Sequence, residues 1–332
     1  MTKYDVITIG SASEDVFVRS NEFELIQATD LKGREICMPF GEKIDIDEME
    51  FGFGGGAFNT GIGLKKMGLR VGIAINLGKD LTAEKIIKRM KEEGISTELV
   101  MYCPKKNSGY SVIIRRSKGD RTILTFRGSN NCFDEKKIKW NELAKAEWIY
   151  VSSFDSGKDL LLKIGELAER NGIRIAFNPG AMQRHKGMKN LSGFLKKVEV
   201  LIMNKLEATE LTGEDSLEKA MKKLYRKGPG IVAITQGKKE IVVYDGKYFY
   251  EKMPFDTVKL DSTGAGDAFS SGFLSGFIKY GEIEKAIGYG AINSANVIQF
   301  IGTTRGLLSE KKAVELIRKK KWKKRIIRKR RA

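Results

Sequence analysis

The chain is poor in the residues that several common chemistries need: one histidine, three cysteines and five prolines among 332 residues. A lone histidine, His185, excludes a centre built from clustered His ligands. It would also have to support a Ser–His–Asp hydrolase without suitable neighbours, so it reads as a surface loop residue. Cys37, Cys103 and Cys132 are odd in number and scattered. That argues for a reducing compartment, against a disulfide framework and against a Cys-based metal site. No apolar run approaches the roughly 20 residues of a membrane span, and residues 1–10 lack a signal-peptide layout. A cytoplasmic location is the expectation. No Pro/Ser-rich linker, repeat or low-complexity segment divides the body of the chain.

What the chain has is basic charge, and that charge is unevenly placed. Lys and Arg number 60 against 42 Asp and Glu, a net of +18. Residues 310–332 hold 13 basic and 2 acidic residues, a net of +11, leaving +7 for the rest. The chain therefore divides into a domain over 1–308 and a basic C-terminal helix and tail over 309–332. The helix is expected from Ser309 to about Arg325. A run such as Lys319–Arg331 can bind nucleic acid or an anionic surface without specificity. The plainer reading is a solvated tail that continues the helix, with Trp322, Ile326 and Ile327 toward the body. At 41% hydrophobic residues the body can bury a sizeable core.

Short apolar runs at Tyr4–Gly10, Val71–Asn76, Trp148–Ser152, Ile173–Phe177, Val198–Met203 and Ile231–Thr235 read as buried strands. Helix-period segments such as Ala83–Glu93, Leu160–Asn171 and Ser216–Lys227 alternate with them. This is the pattern of an α/β fold, a mostly parallel sheet covered on both faces. Two stretches of mixed-polarity strands, about 14–53 and 108–127, break the alternation and predict a small β-sheet standing on the main domain. Ser117-Lys-Gly-Asp120 makes a good hairpin turn within the second.

The strongest chemical signal is Asp261-Ser-Thr-Gly-Ala-Gly-Asp267, leading into a helix at about Ala265. Small residues let the backbone approach a ligand, and the free N–H groups of a helix start suit a phosphate. A carboxylate there, Asp267, repels such an anion unless it removes a proton from the hydroxyl attacking it. Its plainer role is a first-turn acid stabilising the helix dipole. Gly52-Phe-Gly54-Gly55-Gly56-Ala-Phe-Asn59 is a second Gly-rich segment. It contains a weak dinucleotide-type G-x-G-x-x-A match, but an oxidoreductase should carry its glycines at the first strand–helix turn, where Gly10-Ser-Ala-Ser-Glu stands instead. No P-loop pattern is present. Asp15, Asn204 with Glu207, and Thr235 with Gly237 follow strands at their carboxyl ends, where open α/β sheets bind ligands. Asn204 with Glu207 three residues on also fits a helix capping box, and Asp15 a turn.

In this order, the segments resemble the ribokinase-like (PfkB) carbohydrate kinase family over about residues 4–308. Gly54-Gly55-Gly56-Ala57-Phe58-Asn59 is similar to its first signature, GG-x-x-x-N. Asp261-Ser-Thr-Gly-Ala-Gly-Asp267-Ala-Phe is similar to its second, D-T-x-GAGD-x-F. Gly10-Ser11 with Asp15, Asn178-Pro179, Asn204-x-x-Glu207 before Leu211-Thr-Gly213, and Thr235-x-Gly237 follow the same order. The resemblance implies ATP-dependent transfer of a phosphoryl group to a sugar hydroxyl, with Asp267 as the base. Gly264, Ala265 and Gly266 would form the anion hole. Asp15, Gly55, Gly56 and Asn59 would hold the acceptor. Asn204 and Glu207 would organise phosphates and Mg²⁺, Glu207 through water, and Thr235 and Gly237 would line the nucleotide site. The small sheet would be a lid, and it offers a face for a homodimer. Glu240 replaces a frequent glycine after Thr-x-Gly. Gln299–Arg305 departs from the segment that helps bind a monovalent cation, so potassium dependence is left open, as is ATP against ADP. A nucleoside kinase is the near alternative. Phe17, Phe53, Phe58 and Phe126 would stack on a base or simply form lid core. Arg127 would meet an acidic or phosphorylated sugar, or stand in solvent.

Overall fold

Runs of Val, Ile and Ala too apolar to leave either face in water form the parallel strands at the centre of the molecule. The computed structural model describes residues 2–27, 34–115, 121–154, 158–319 and 328–331. Across the large sheet the order is Arg328–Arg331, Tyr248–Lys252, Ile241–Tyr244, Ile231–Thr235, Val200–Asn204, Arg174–Phe177, Ala146–Val151, Tyr4–Gly10, Val71–Leu77 and Met101–Tyr102. The strands from Ile231–Thr235 to Met101–Tyr102 are parallel, and each of the other three pairs antiparallel with its neighbours. The six predicted strands all exist. The one read as Val198–Met203 starts later, so that Asn204 ends it and begins the next helix.

Both sheet faces are covered by helices, so alternate residues of each strand enter different cores. Trp148 and Tyr150 pack with Phe58, Phe269 and Phe273 on one side; Ile7, Ile9, Phe177 and Phe194 pack on the other. Fully burying one such side chain stabilises by roughly 1.5–3 kcal/mol. The helices Gly56–Lys66 and Ala265–Tyr280 lie together on the first side. Their approach is so close that a methyl at Gly63 would stand 2.3 Å from the Ser271 hydroxyl.

The first strand, Tyr4–Gly10, has Val71–Leu77 on one side and Ala146–Val151 on the other. The chain's path reverses there, and a crevice opens beyond the carboxyl ends of the strands. Above it stands the small sheet expected as a lid, four strands in the order Glu48–Gly54, Ser13–Arg19, Gly109–Arg115, Arg121–Phe126. A small hairpin, Glu24–Gln27 with Arg34–Cys37, adjoins it. One lid face carries Val16, Val18 and Ile114 packed with Phe23; the other carries Asp15, Ser111 and Ile113 over the crevice. The turn expected at 117–120 lies outside the described residues.

Two expectations are revised. Cys103 and Cys132 form a disulfide with a Cα–Cα distance of 6.2 Å, in place of the unpaired thiols read from an odd, scattered set. Sequence spacing conceals the pair because the sheet edge at Met101–Tyr102 carries Cys103 beside the end of the turn Gly128–Asn131. At the C-terminus the helix Glu310–Lys319 forms as expected. Its continuation to Arg325, with Trp322, Ile326 and Ile327, lies outside the described residues. Arg328–Arg331 then pairs with Tyr248–Lys252 as an edge strand. Arg330 holds Glu218 and Glu251 at 2.9 Å each and covers the Phe249 ring. This arginine of the basic run is therefore neutralised within the chain.

Candidate active site

The crevice between lid and main sheet is a cavity of about 230 Å³. The signature helices both begin at it, and both begin at a glycine with a left-handed-side φ. Gly55 has φ 95°, and a side chain there would lie 2.4 Å from the Ser11 carbonyl oxygen. Gly264 has φ 81°, and a Cβ would stand 2.7 Å from the Thr303 Cα. Neither helix has a side-chain cap. Only glycine meets both the conformation and the close approach, which is why these segments are glycine-rich.

Of the expected site residues, Asp15, Gly55, Asn59, Gly264 and Asp267 line the cavity. Gly56 stands just behind: its N–H donates to the Ser11 hydroxyl at 3.1 Å, and a Cβ there would lie 3.7 Å from Asp267 Oδ1. The Ala265 N–H turns back to the Ser262 carbonyl at 3.3 Å. The N–H groups of Gly266 and Asp267 have no acceptor among the described residues, as the first turn of a helix dictates. A substituent on Gly266 would meet nothing within 4 Å. The helix start therefore keeps open donors beside a carboxylate that lines the cavity, although Ala265 and Gly266 are not themselves among the lining residues.

Asp267 is positioned by a chain of contacts. The Asn59 amide donates to Asp267 Oδ2 at 2.8 Å, and the Thr303 hydroxyl lies 2.9 Å from Asn59 Oδ1 and against the Phe53 carbonyl. Asp267 lines the cavity and is half-buried. This burial pushes its carboxyl up to about 6, with the charges of Asp15 and Glu207 adding to the rise and the Asn59 bond opposing it. The group is a carboxylate at neutral pH and a stronger base than an exposed aspartate. Asp15 is also raised by burial, while Ser13 and Ser111 donate to it. Its neighbour Glu14 faces the other way, to Lys85 at 2.5 Å and Thr82 at 2.8 Å. Alternation along one strand thus separates a structural acid from one that lines the cavity.

Asn204, Glu207, Thr235 and Gly237 do not line this cavity. Asn204 and Thr235 lie opposite each other at the ends of adjacent strands. Asn204 and Glu207 form the capping box in full: Glu207 N–H donates to Asn204 Oδ1 and Asn204 N–H to Glu207 Oε2, both at 2.9 Å. Glu207 Oε1 accepts from Arg184 at 3.1 Å. Gly237 has φ 64° in an open turn, and Gln236 closes that turn by donating to the Glu240 carbonyl at 2.9 Å. His185 is exposed, at the end of the short helix Ala181–His185. Among the described residues no cluster of His, Cys, Asp and Glu forms a metal cage, and no helix is long and apolar enough to cross a membrane.

Several residues that sequence reading passes over enter the site from a distance. Arg121, on the lid, donates to the Ser262 hydroxyl at 2.6 Å and so ties the lid to the second signature. Asn130 clamps the backbone of Ala12 with both amide atoms, at 3.0 and 2.9 Å. Asp261 accepts from Thr263 N–H and Oγ1 and holds the turn before the helix. Only the signature's own spacing hinted at Asp261; no local pattern marks the other two.

Comparisons with known proteins bear on the fold and the family. The model of the pfkB family carbohydrate kinase matches residues 22–310. An uncharacterized sugar kinase of Archaeoglobus fulgidus is 28% identical over 248 residues, covering 74% of this chain and 98% of its own. An ATP-dependent 6-phosphofructokinase of Thermoanaerobacterium thermosaccharolyticum is 24% identical over 312 residues, covering 90% and 89%. The structure of Arabidopsis thaliana ribokinase complexed with ribose and ATP superposes with a TM-score of 0.79 at 18% identity, covering 96% of this chain and 99% of that one. The large mostly parallel sheet with a separate small sheet is thus a ribokinase fold, and with the family model spanning most of the sequence the chain belongs to the pfkB family of carbohydrate kinases.

Proposed function

We propose that the protein transfers the γ-phosphoryl group of ATP to a hydroxyl of a sugar held in the cavity. The observation that carries the reading is the Asp267 carboxylate, 2.8 Å from Asn59, on the same helix start whose Gly266 and Asp267 N–H groups are open. Asp267 takes the proton from the acceptor hydroxyl as its oxygen bonds to phosphorus. The bond from that phosphorus to the bridging oxygen breaks, and ADP leaves. The open N–H groups, with the Gly264-Ala265-Gly266 turn that presents them, hold the charge of the transferring group. Asp15 and Asn59 fix the acceptor's hydroxyls, against a wall shaped by Gly55 and Gly56. Phosphoryl transfer depends on positioning and charge stabilisation, so the shortage of histidine is no obstacle.

Asn204, Glu207, Thr235 and Gly237 are assigned to the nucleotide side, at the adjoining strand ends. Mg²⁺, when bound, neutralises charge on the donor's phosphates. Mg²⁺ commonly keeps several waters and uses one or two carboxylates, and the Glu207 carboxylate at these strand ends supplies one. Glu207 is the carboxylate for that role, through water, because both its oxygens already hold protein donors and its charge reaches Asp267. The outer edges of the lid expose Met49, Phe51, Leu124 and Phe126, and a second copy of the chain is the proposed cover.

The deciding measurement is turnover of ATP with a panel of sugars and nucleosides. Phosphorylation of a sugar is the expected result, and turnover restricted to nucleosides would shift the acceptor class. Asp267→Asn should keep nucleotide affinity while kcat falls about 10²–10⁴-fold. Undiminished kcat in that variant would remove Asp267 from the reaction.

A further inference from the structure

The cavity contains a cation that phosphoryl transfer does not use. Arg127 follows the lid strand Arg121–Phe126 and lines the cavity near Asn131. Its residue surface is half-buried, and its guanidinium makes no ion pair or hydrogen bond with any described residue. Other arginines of the molecule are used differently. Arg70 and Arg184 each hold a carboxylate, and Arg121 is tied to Ser262.

The backbone that carries Arg127 is fixed. Asn130 grips Ala12 through two hydrogen bonds, the Ser129 N–H donates to Asn107 at 2.8 Å, and the Ser129 hydroxyl donates to Asn76 at 2.7 Å. Cys132, the residue after this turn, is bonded to Cys103. Held backbone therefore presents the side chain, so that binding an anion orders the side chain and not the loop. Both acids of the cavity, Asp15 and Asp267, belong to the acceptor-hydroxyl end, and Arg127 is not among the charges acting on either. A partly desolvated guanidinium without a counter-ion is costly, and a ligand's anion removes that cost. Its planar fork of donors matches a carboxylate or a phosphate in bidentate fashion.

We propose that the acceptor is an anionic sugar, and that Arg127 receives its carboxylate or phosphate while the hydroxyl to be phosphorylated lies at Asp267. The proposal rests on the kinase reading above and narrows its substrate class. Two anchors at separate points of the acceptor would set which hydroxyl reaches the base, and a neutral sugar would satisfy only one of them.

The test measures kcat/KM for matched acceptors: D-gluconate against D-glucose for the carboxylate, and D-fructose 6-phosphate against D-fructose for the phosphate. The expected result is a preference of about tenfold or more for the anionic member of one pair, the magnitude of a charge-assisted hydrogen bond. Arg127→Gln should collapse that preference, mainly through KM, and Arg127→Lys should restore part of it. Equal kcat/KM within both pairs, or a preference that Arg127→Gln leaves intact, would overturn the proposal while leaving the kinase reading in place. No turnover of ATP with any acceptor would sink the kinase reading itself, and this inference with it.

Discussion

The helices Lys205–Thr212 and Ala265–Tyr280 begin within electrostatic reach of one another, and they begin in opposite ways. The first is closed by Asn204 and Glu207, whose side chains and backbone satisfy each other. The second starts at a left-handed glycine with no side-chain cap, leaving two N–H groups without acceptors among the described residues. A capped start contributes stability and has few donors left over. An open start forgoes about 1 kcal/mol of capping and keeps its donors for an anion. The contrast sets Asn204 and Glu207 apart from the residues of the cavity: their geometry is already accounted for by the helix they cap.

The sharpest way to break this comparison is to close the open helix. Gly264→Ala places a methyl 2.7 Å from the Thr303 Cα, in a backbone conformation that L residues rarely adopt. Activity should fall at least about 100-fold, with roughly 1–3 kcal/mol lost in stability from the strained φ. Steady-state kinetics and chemical denaturation would measure both. Normal turnover in that variant would show that the helix start need not keep its shape.

Next in size is the price of the raised carboxyl. The folded protein holds the Asp267 proton more tightly than the unfolded chain does, so its contribution to stability falls as pH rises from about 4 through about 6. Asp267→Asn removes that penalty. It should raise stability at pH 7 by roughly 1–2 kcal/mol, after discounting for water in the cavity, even as kcat collapses. A lower unfolding temperature than the parent would contradict this. The same carboxyl must be ionised to act as base. Hence kcat/KM should drop about tenfold per pH unit below about 6 and level off above it. A profile flat from pH 5 to 8 would separate the catalytic step from Asp267.

The smallest effect belongs to the capped helix. Asn204→Ala removes one arm of the capping box and should cost about 1 kcal/mol in stability. If Asn204 also serves the nucleotide, KM for ATP will rise with acceptor KM unchanged. A purely structural residue would leave both constants alone.

What could be read before the structure was mostly local. Apolar runs mark Tyr4–Gly10 and Ile231–Thr235 as strands because a strand buried on both faces is mostly apolar, with Asp5 and Thr8 the only polar interruptions inside the first. Gly264 and Asp267 were visible because a tight turn, a helix start and an acid fall within a few positions. The contacts that complete the site span far more of the chain. Thr303 meets Asn59 across 244 residues, and Arg121 meets Ser262 across 141. Nothing in the composition around Thr303 or Arg121 distinguishes them from solvent-facing neighbours. The Cys103–Cys132 pair was misjudged for the same reason, since a count of cysteines carries no geometry. The edge strand Arg328–Arg331 was also missed. Four consecutive basic residues show no alternation, and their pairing depends on the exposed edge of Tyr248–Lys252.

Only two residues, Ser11 and Ala12, separate the central strand ending at Gly10 from the lid strand beginning at Ser13. Those two are also held from elsewhere. The Ser11 hydroxyl accepts from Gly56, its carbonyl from Phe58 at 3.3 Å, and Asn130 grips Ala12. The hinge of the lid is therefore built into the floor of the site. A tilt of the small sheet would pull on the first turn of the helix that carries Asn59, and through Asn59 on Asp267. On the proposed function, opening to admit an acceptor and aligning Asp267 against it would be, mechanically, one movement.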